Sequence, residues 1–119
     1  MILIHASNHE SFKPDYQELV SNITNHPNGA LGLWCCPEHF KWMDKFGRHI
    51  HKFSFEGNFL DLSVEDLMSL GRGGKGLEDF IRFREEYLEQ GIDGLKIIER
   101  TGESHMVVIL NLDLLSRKT

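Results

Sequence analysis

The stretch Gly32-Leu33-Trp34-Cys35-Cys36-Pro37-Glu38-His39-Phe40-Lys41-Trp42-Met43-Asp44-Lys45-Phe46-Gly47 decides how the rest of the chain reads. A short apolar strand over 31–34 delivers an aromatic residue, Trp34, and a Cys-Pro pair then starts a helix. Cys36 falls at the N-cap and Pro37 at the first helical position, where a missing N–H costs nothing. Glu38 follows beside the positive end of the helix dipole, and Gly47 stops the helix after Phe46. A strand ending in an exposed aromatic, backed by a helix N-terminus, suits a flat ring next to a negatively charged group.

Working outward, Ile2-Leu3-Ile4 reads as a buried first strand that ends at His5. Phe12, Tyr16, Leu19, Val20 and Ile23 recur at the spacing of one helix face, which predicts a helix over 12–23. Pro27-Asn28-Gly29 is a turn. His51, Phe53 and Phe55 alternate with Lys52 and Ser54, as in a half-buried strand. Glu56-Gly57-Asn58 turns the chain into an extended run over 59–62. Ser63, with Asp66 three residues on, caps a short helix to residue 70. The clearest helix covers 77–90, with Arg84 in the middle of its apolar arc, where it either snorkels or pairs with a partly buried acid. Asp93-Gly94 leads into a strand over 95–98, Arg100-Thr101-Gly102 turns again, and 106–110 is an apolar run of buried-strand type. Roughly five or six strands, often consecutive, with three or four short helices favour α+β over a doubly wound sheet.

The 119 residues suffice for one domain, 1–119, with one core. Hydrophobic residues at 40% and charged residues at 26% give an ordinary globular balance, not that of a disordered chain. A net charge of -5 argues against a nucleic-acid or anionic-membrane binder, which needs a basic face. No apolar run approaches the roughly 20 residues of a membrane helix, and Met1-Ile2-Leu3-Ile4 is too short for a signal peptide. Cys35 and Cys36, the only cysteines, are adjacent and rarely bridge at that spacing, so the chain reads as reduced and cytoplasmic.

Several motifs invite chemistry. The run Gly71-Arg72-Gly73-Gly74-Lys75-Gly76 lacks the Ser or Thr a phosphate loop needs after its lysine, and reads as a surface loop. Among seven histidines, His49 and His51 share a strand face, yet no third ligand stands at a recognisable spacing, so no metal site is assigned. A helix N-terminus would lower the Cys36 thiol pKa, but no base stands beside it, so its sulfur is read as a cap. Glu103-Ser104-His105 precedes the last apolar run. An acid and an imidazole two apart on a strand point the same way and are able to bind a hydroxyl or share a proton.

Taken in order, these pieces resemble the ADP-ribosyltransferase family, which splits NAD and transfers or hydrolyses ADP-ribose. Ile2-Leu3-Ile4-His5-Ala6-Ser7 is similar to its first strand, an aliphatic run ending in His-Gly-[Ser/Thr]. Leu31-Gly32-Leu33-Trp34-Cys35-Cys36, followed by Phe46-Gly47, resembles its second motif. Residues 50–62 resemble the following strand with its Gly-Asn-x-Leu-Asp-Leu ending, and Gly91-Ile92-Asp93-Gly94 resembles a late turn. Glu103-Ser104-His105-Met106-Val107-Val108 stands where the third motif, often [Glu/Gln]-x-Glu, falls.

The resemblance implies an ADP-ribosyltransferase-like split-sheet fold and a cleft for NAD as substrate. His5 would hydrogen-bond a ribose hydroxyl, and Trp34 would stack on the nicotinamide or its ribose. Ser7, Gly32, Cys36 and Phe46 complete the binding set, with Trp42 beside Phe46. The third-motif carboxylate would stabilise the oxocarbenium-like transition state, but His105 occupies its position, so catalysis is carried over onto Glu103 and His105 together. The implied activity is mono-ADP-ribosylation of a protein (or nucleic acid) target by a phage or bacterial effector. The alternative is a catalytically silent member of the fold that binds a protein as inhibitor or adaptor.

Overall fold

The computed structural model describes residues 1–8, 10–11, 13–23, 27–70 and 76–117. The chain runs β1 (Ile2–Ser7), α1 (Tyr16–Ser21), a 3-10 turn (Pro27–Leu31), β2 (Leu33–Cys35) and a second 3-10 turn (Lys41–Lys45). It continues through β3 (His49–Phe55), β4 (Phe59–Ser63), α2 (Val64–Leu70), α3 (Leu77–Glu89), β5 (Gly94–Ile98) and β6 (Met106–Ile109). A third 3-10 turn (Leu112–Leu114) leads into β7 (Leu115–Arg117). The α+β class is as the strand and helix patterns require.

The strands form two sheets, β1-β3-β7 and β2-β6-β5-β4. Every pairing is antiparallel but β4 with β5, which the α2 and α3 crossover makes parallel. Among the described residues a main-chain bridge links the two sheets, where Ile4 N–H donates to Cys36 O and Cys36 N–H to Ile4 O, each at 2.8 Å.

Apolar alternation sorts the core into layers. Leu3, Phe53 and Phe55 from one sheet meet Leu33, Cys35, Val107 and Ile109 from the other. On the far face of the four-stranded sheet, Val108, Leu95 and Ile97 pack under Phe80 of α3. β6 is therefore buried on both faces, which explains its unbroken apolar sequence. Burying a side chain such as Phe53 contributes about 1.5–3 kcal/mol of transfer free energy.

Local structure departs from expectation in identifiable ways. The first helix is only α1, because Asp15 is extended and its carboxylate accepts from Gln17 N–H at 2.9 Å, which sets the cap. Phe12, expected on that helix, lies outside the described residues, as does 71–75 of the glycine-rich run. The helix expected from Cys36 does not form. Both main-chain groups of Cys36 are committed to Ile4, so its carbonyl is not available to open a helix, and only Lys41–Lys45 coils. The expected Ser63 cap holds in detail, as Asp66 N–H donates to Ser63 Oγ at 3.1 Å, and after α3 Gly91 adopts φ 81°. Arg84 is half-buried, and the described hydrogen bond of its guanidinium goes to a main-chain carbonyl. Its Nε donates to Leu110 O at 2.9 Å, and its guanidinium lies 3.6 Å from the Tyr16 ring centroid.

Candidate functional site

Register across β1 and β3 builds the site. Leu3, His5 and Ser7 point to one face, and their Cα partners are Phe53, His51 and His49 in turn. The first rung is solid core, whereas the next two are polar, and there the sheets part into a cleft of about 1280 Å³. His5, Ser7, Trp34, Cys36, Trp42 and Phe46 all line it.

His5 and Trp34 are joined directly. His5 Nδ1 lies 2.8 Å from the Trp34 carbonyl oxygen. A carbonyl only accepts, so Nδ1 donates the proton and the neutral ring keeps its lone pair on Nε2. Burial holds the His5 pKa below the usual histidine value; the Trp34 hydrogen bond works against that shift, and His51 reinforces it. Trp34 is half-buried, and its indole Nε1–H donates to Asn28 O at 3.2 Å, which fixes the ring plane.

Around them the walls differ in character. Phe40 stacks on Trp42 with centroids 5.8 Å apart, and Phe46 meets Trp42 edge-on at 6.0 Å. Phe46 remains 61% exposed, so this aromatic wall reaches the cleft mouth. The opposite lobe is polar, with Asn8, Ser11, Ser21 and Asn28 among its lining. Ser7 is buried and closely covered: a Cβ at Gly47 would lie 2.1 Å from the Ser7 carbonyl carbon. Gly47 is thus required by close approach, not by helix termination.

Cys36 lines the cleft but packs on Ile4, Ala6 and Met43, and burial pushes its thiol up to about 11. Its position is structural. Gly32 lies apart from the lining. A Cβ there would come 2.3 Å from Ile109 O, so its lack of a side chain serves the β2–β6 approach.

Glu103 and His105 come together, though not as strand neighbours, since β6 begins only at Met106. His105 Nε2 lies 3.2 Å from Glu103 Oε2, and its Nδ1 lies 3.2 Å from Glu99 Oε1. The half-exposed ring stands edge-on to Phe40 at 5.3 Å. Neither residue lines the cleft, which ends on this side at Met106.

Set against known protein families, characterised proteins and solved structures, the chain matches none.

This geometry brings in two residues that sequence reasoning passed over, Arg117 and Glu99, and one, His51, that it weighed only as a strand residue and a metal ligand. His51 is 4% exposed and sits beside His5, Arg117 contacts His51, and Glu99 contacts His105. The alternation over His51, Phe53 and Phe55 marked a strand, but nothing local gave the partner of His51. Among the described residues, no group of three or more His, Cys, Asp or Glu is placed to hold a metal ion, and no helix is long and apolar enough to cross a membrane.

Proposed function

We propose that the cleft binds NAD or a related nucleotide, and that the chain is an ADP-ribosyltransferase-like protein acting on a protein (or nucleic acid) target. The observation that carries this reading is the 2.8 Å contact joining His5 to Trp34 on one crevice. The volume of about 1280 Å³ exceeds the roughly 300–1,000 Å³ usual for ligand sites and leaves room for a dinucleotide. His5 Nε2 suits a ribose hydroxyl, and the Trp34 and Trp42 rings suit a flat heterocycle. Among the described lining residues Lys13 is the only Lys or Arg, and Glu10 and Glu18 line the same cleft, so ring and sugar contacts rather than diphosphate contacts would carry the recognition.

In the proposed reaction the bond between nicotinamide and ribose breaks, and nicotinamide leaves with the bonding electrons. Positive charge develops on the sugar, and the acceptor that closes on it gives up a proton. Glu103 is the carboxylate proposed to stabilise that cation; it stands outside the lining, beyond Met106, so the proposal requires the bound sugar to extend to that end of the cleft. Calorimetry with NAD on wild type and His5→Ala, followed by an assay for released nicotinamide, tests the reading. Absence of NAD binding by the wild type sinks it.

One observation favours a second reading, in which the protein binds its partner without catalysis. His105 is held between Glu99 and Glu103 outside the cleft lining. NAD binding without nicotinamide release, unchanged in Glu103→Gln, would decide for it.

A further inference from the structure

We propose that His51 and Arg117 are positioning residues for His5, so that strand β7 sets the hydrogen-bonding state of the cleft imidazole. The proposal rests on the reading of His5 as a ligand for a hydroxyl-bearing molecule. It starts from the hydrogen bond at Nδ1 of each ring.

Arg117 Nη1 lies 3.1 Å from His51 Nδ1. A guanidinium has only donors, so Nδ1 accepts and the neutral His51 ring carries its proton on Nε2. His5 is the converse case, with Nδ1 donating to the Trp34 carbonyl and the lone pair on Nε2. The two rings are register partners on one sheet face, where cross-strand Cβ atoms stand about 4.5–5.5 Å apart. A half-buried imidazole, His5, and a buried one, His51, therefore stand side by side with opposite tautomers. One is fixed by a cation on β7, the other by a carbonyl on β2. Arg117 is itself held, its guanidinium 5.2 Å from the Phe53 ring centroid, and Phe53 pairs with Arg117 across β3 and β7. A His51 ring of unset tautomer would present a lone pair or a donor at random to its neighbour, and would disturb the placement of a His5 ring whose proton Trp34 O holds on Nδ1.

Protein carrying ¹⁵N-histidine tests this, with tautomers read from two-bond ¹H–¹⁵N correlation spectra and NAD calorimetry on the same samples. Wild type is expected to show His51 protonated on Nε2 and His5 on Nδ1. Arg117 is exposed, so Arg117→Met keeps the fold, as circular dichroism will verify. It is expected to mix the His51 tautomers, shift the His5 ring signals and weaken NAD binding about fivefold, the scale of one hydrogen bond. Arg117→Lys, which retains a donor, is expected to restore the His51 tautomer. Unchanged His51 and His5 spectra in Arg117→Met overturn the proposal, as do altered spectra with wild-type NAD affinity. If wild type binds no NAD, the nucleotide reading falls separately, and the His5 response to Arg117→Met alone decides the positioning.

Discussion

The β1–β3 ladder has two ends that share a backbone and differ only in what they carry. At one end Leu3 and Phe53 close against the second sheet with no exposed surface. Two residues along, His5 and His51 take the same inward positions, and Ser7 and His49 follow. Polar groups at inward positions stabilise the fold less than apolar ones and need partners for their hydrogen bonds. Those partners are present: Trp34 O for His5 and Arg117 for His51. The difference teaches that the closed end provides stability while the open end gives part of it up to display hydrogen-bonding groups.

Breaking the closed end should have the largest effect. Phe53→Ala is expected to cost about 3–5 kcal/mol, read as a lowered midpoint in denaturant unfolding. Next comes the cover over the open end. Gly47→Ala forces a carbon into the Ser7 main chain and is expected to cost about 1–3 kcal/mol, with NAD affinity falling alongside. A loss of stability without loss of affinity would detach Gly47 from the cleft.

His5→Ala should invert that pattern. NAD affinity is expected to fall about tenfold in calorimetry, while the unfolding midpoint moves far less than in Phe53→Ala. If both move equally, the two ends do not differ in role.

The smallest effect is on pH dependence. The folded state holds His5 below its ordinary pKa, so the unfolded chain binds more protons once pH falls below about 6.5. Stability therefore declines as pH drops from about 6.5 towards the lowered folded value, and is unaffected by this group at higher pH. His5→Ala should flatten that decline in pH-dependent unfolding curves.

Periodicity carried most of the fold. Alternation over His51, Phe53 and Phe55, the apolar run before Leu110 and the arc around Phe80 each correspond to an element. What was not legible depended on partners distant in sequence. Cys36 looked like a helix cap locally, and only its pairing with Ile4 shows why it stays extended. β7 is three residues of ordinary polarity, recognisable only from β3 beside it. In the site, the adjacency of His5 and Trp34 followed from motif order. The neighbours His51 and Glu99 did not, because register and hairpin geometry bring them in.

The bridge between Ile4 and Cys36 has a consequence for what the chain tolerates. Its two hydrogen bonds are made by main-chain atoms alone, so the lacing of the sheets is indifferent to side chains. Any apolar residue of similar size but not proline retains both bonds, since Ile4 and Cys36 are both buried. The contents of the cleft and the frame around it are thereby free to vary independently, and a new specificity at this seam asks for no new scaffold.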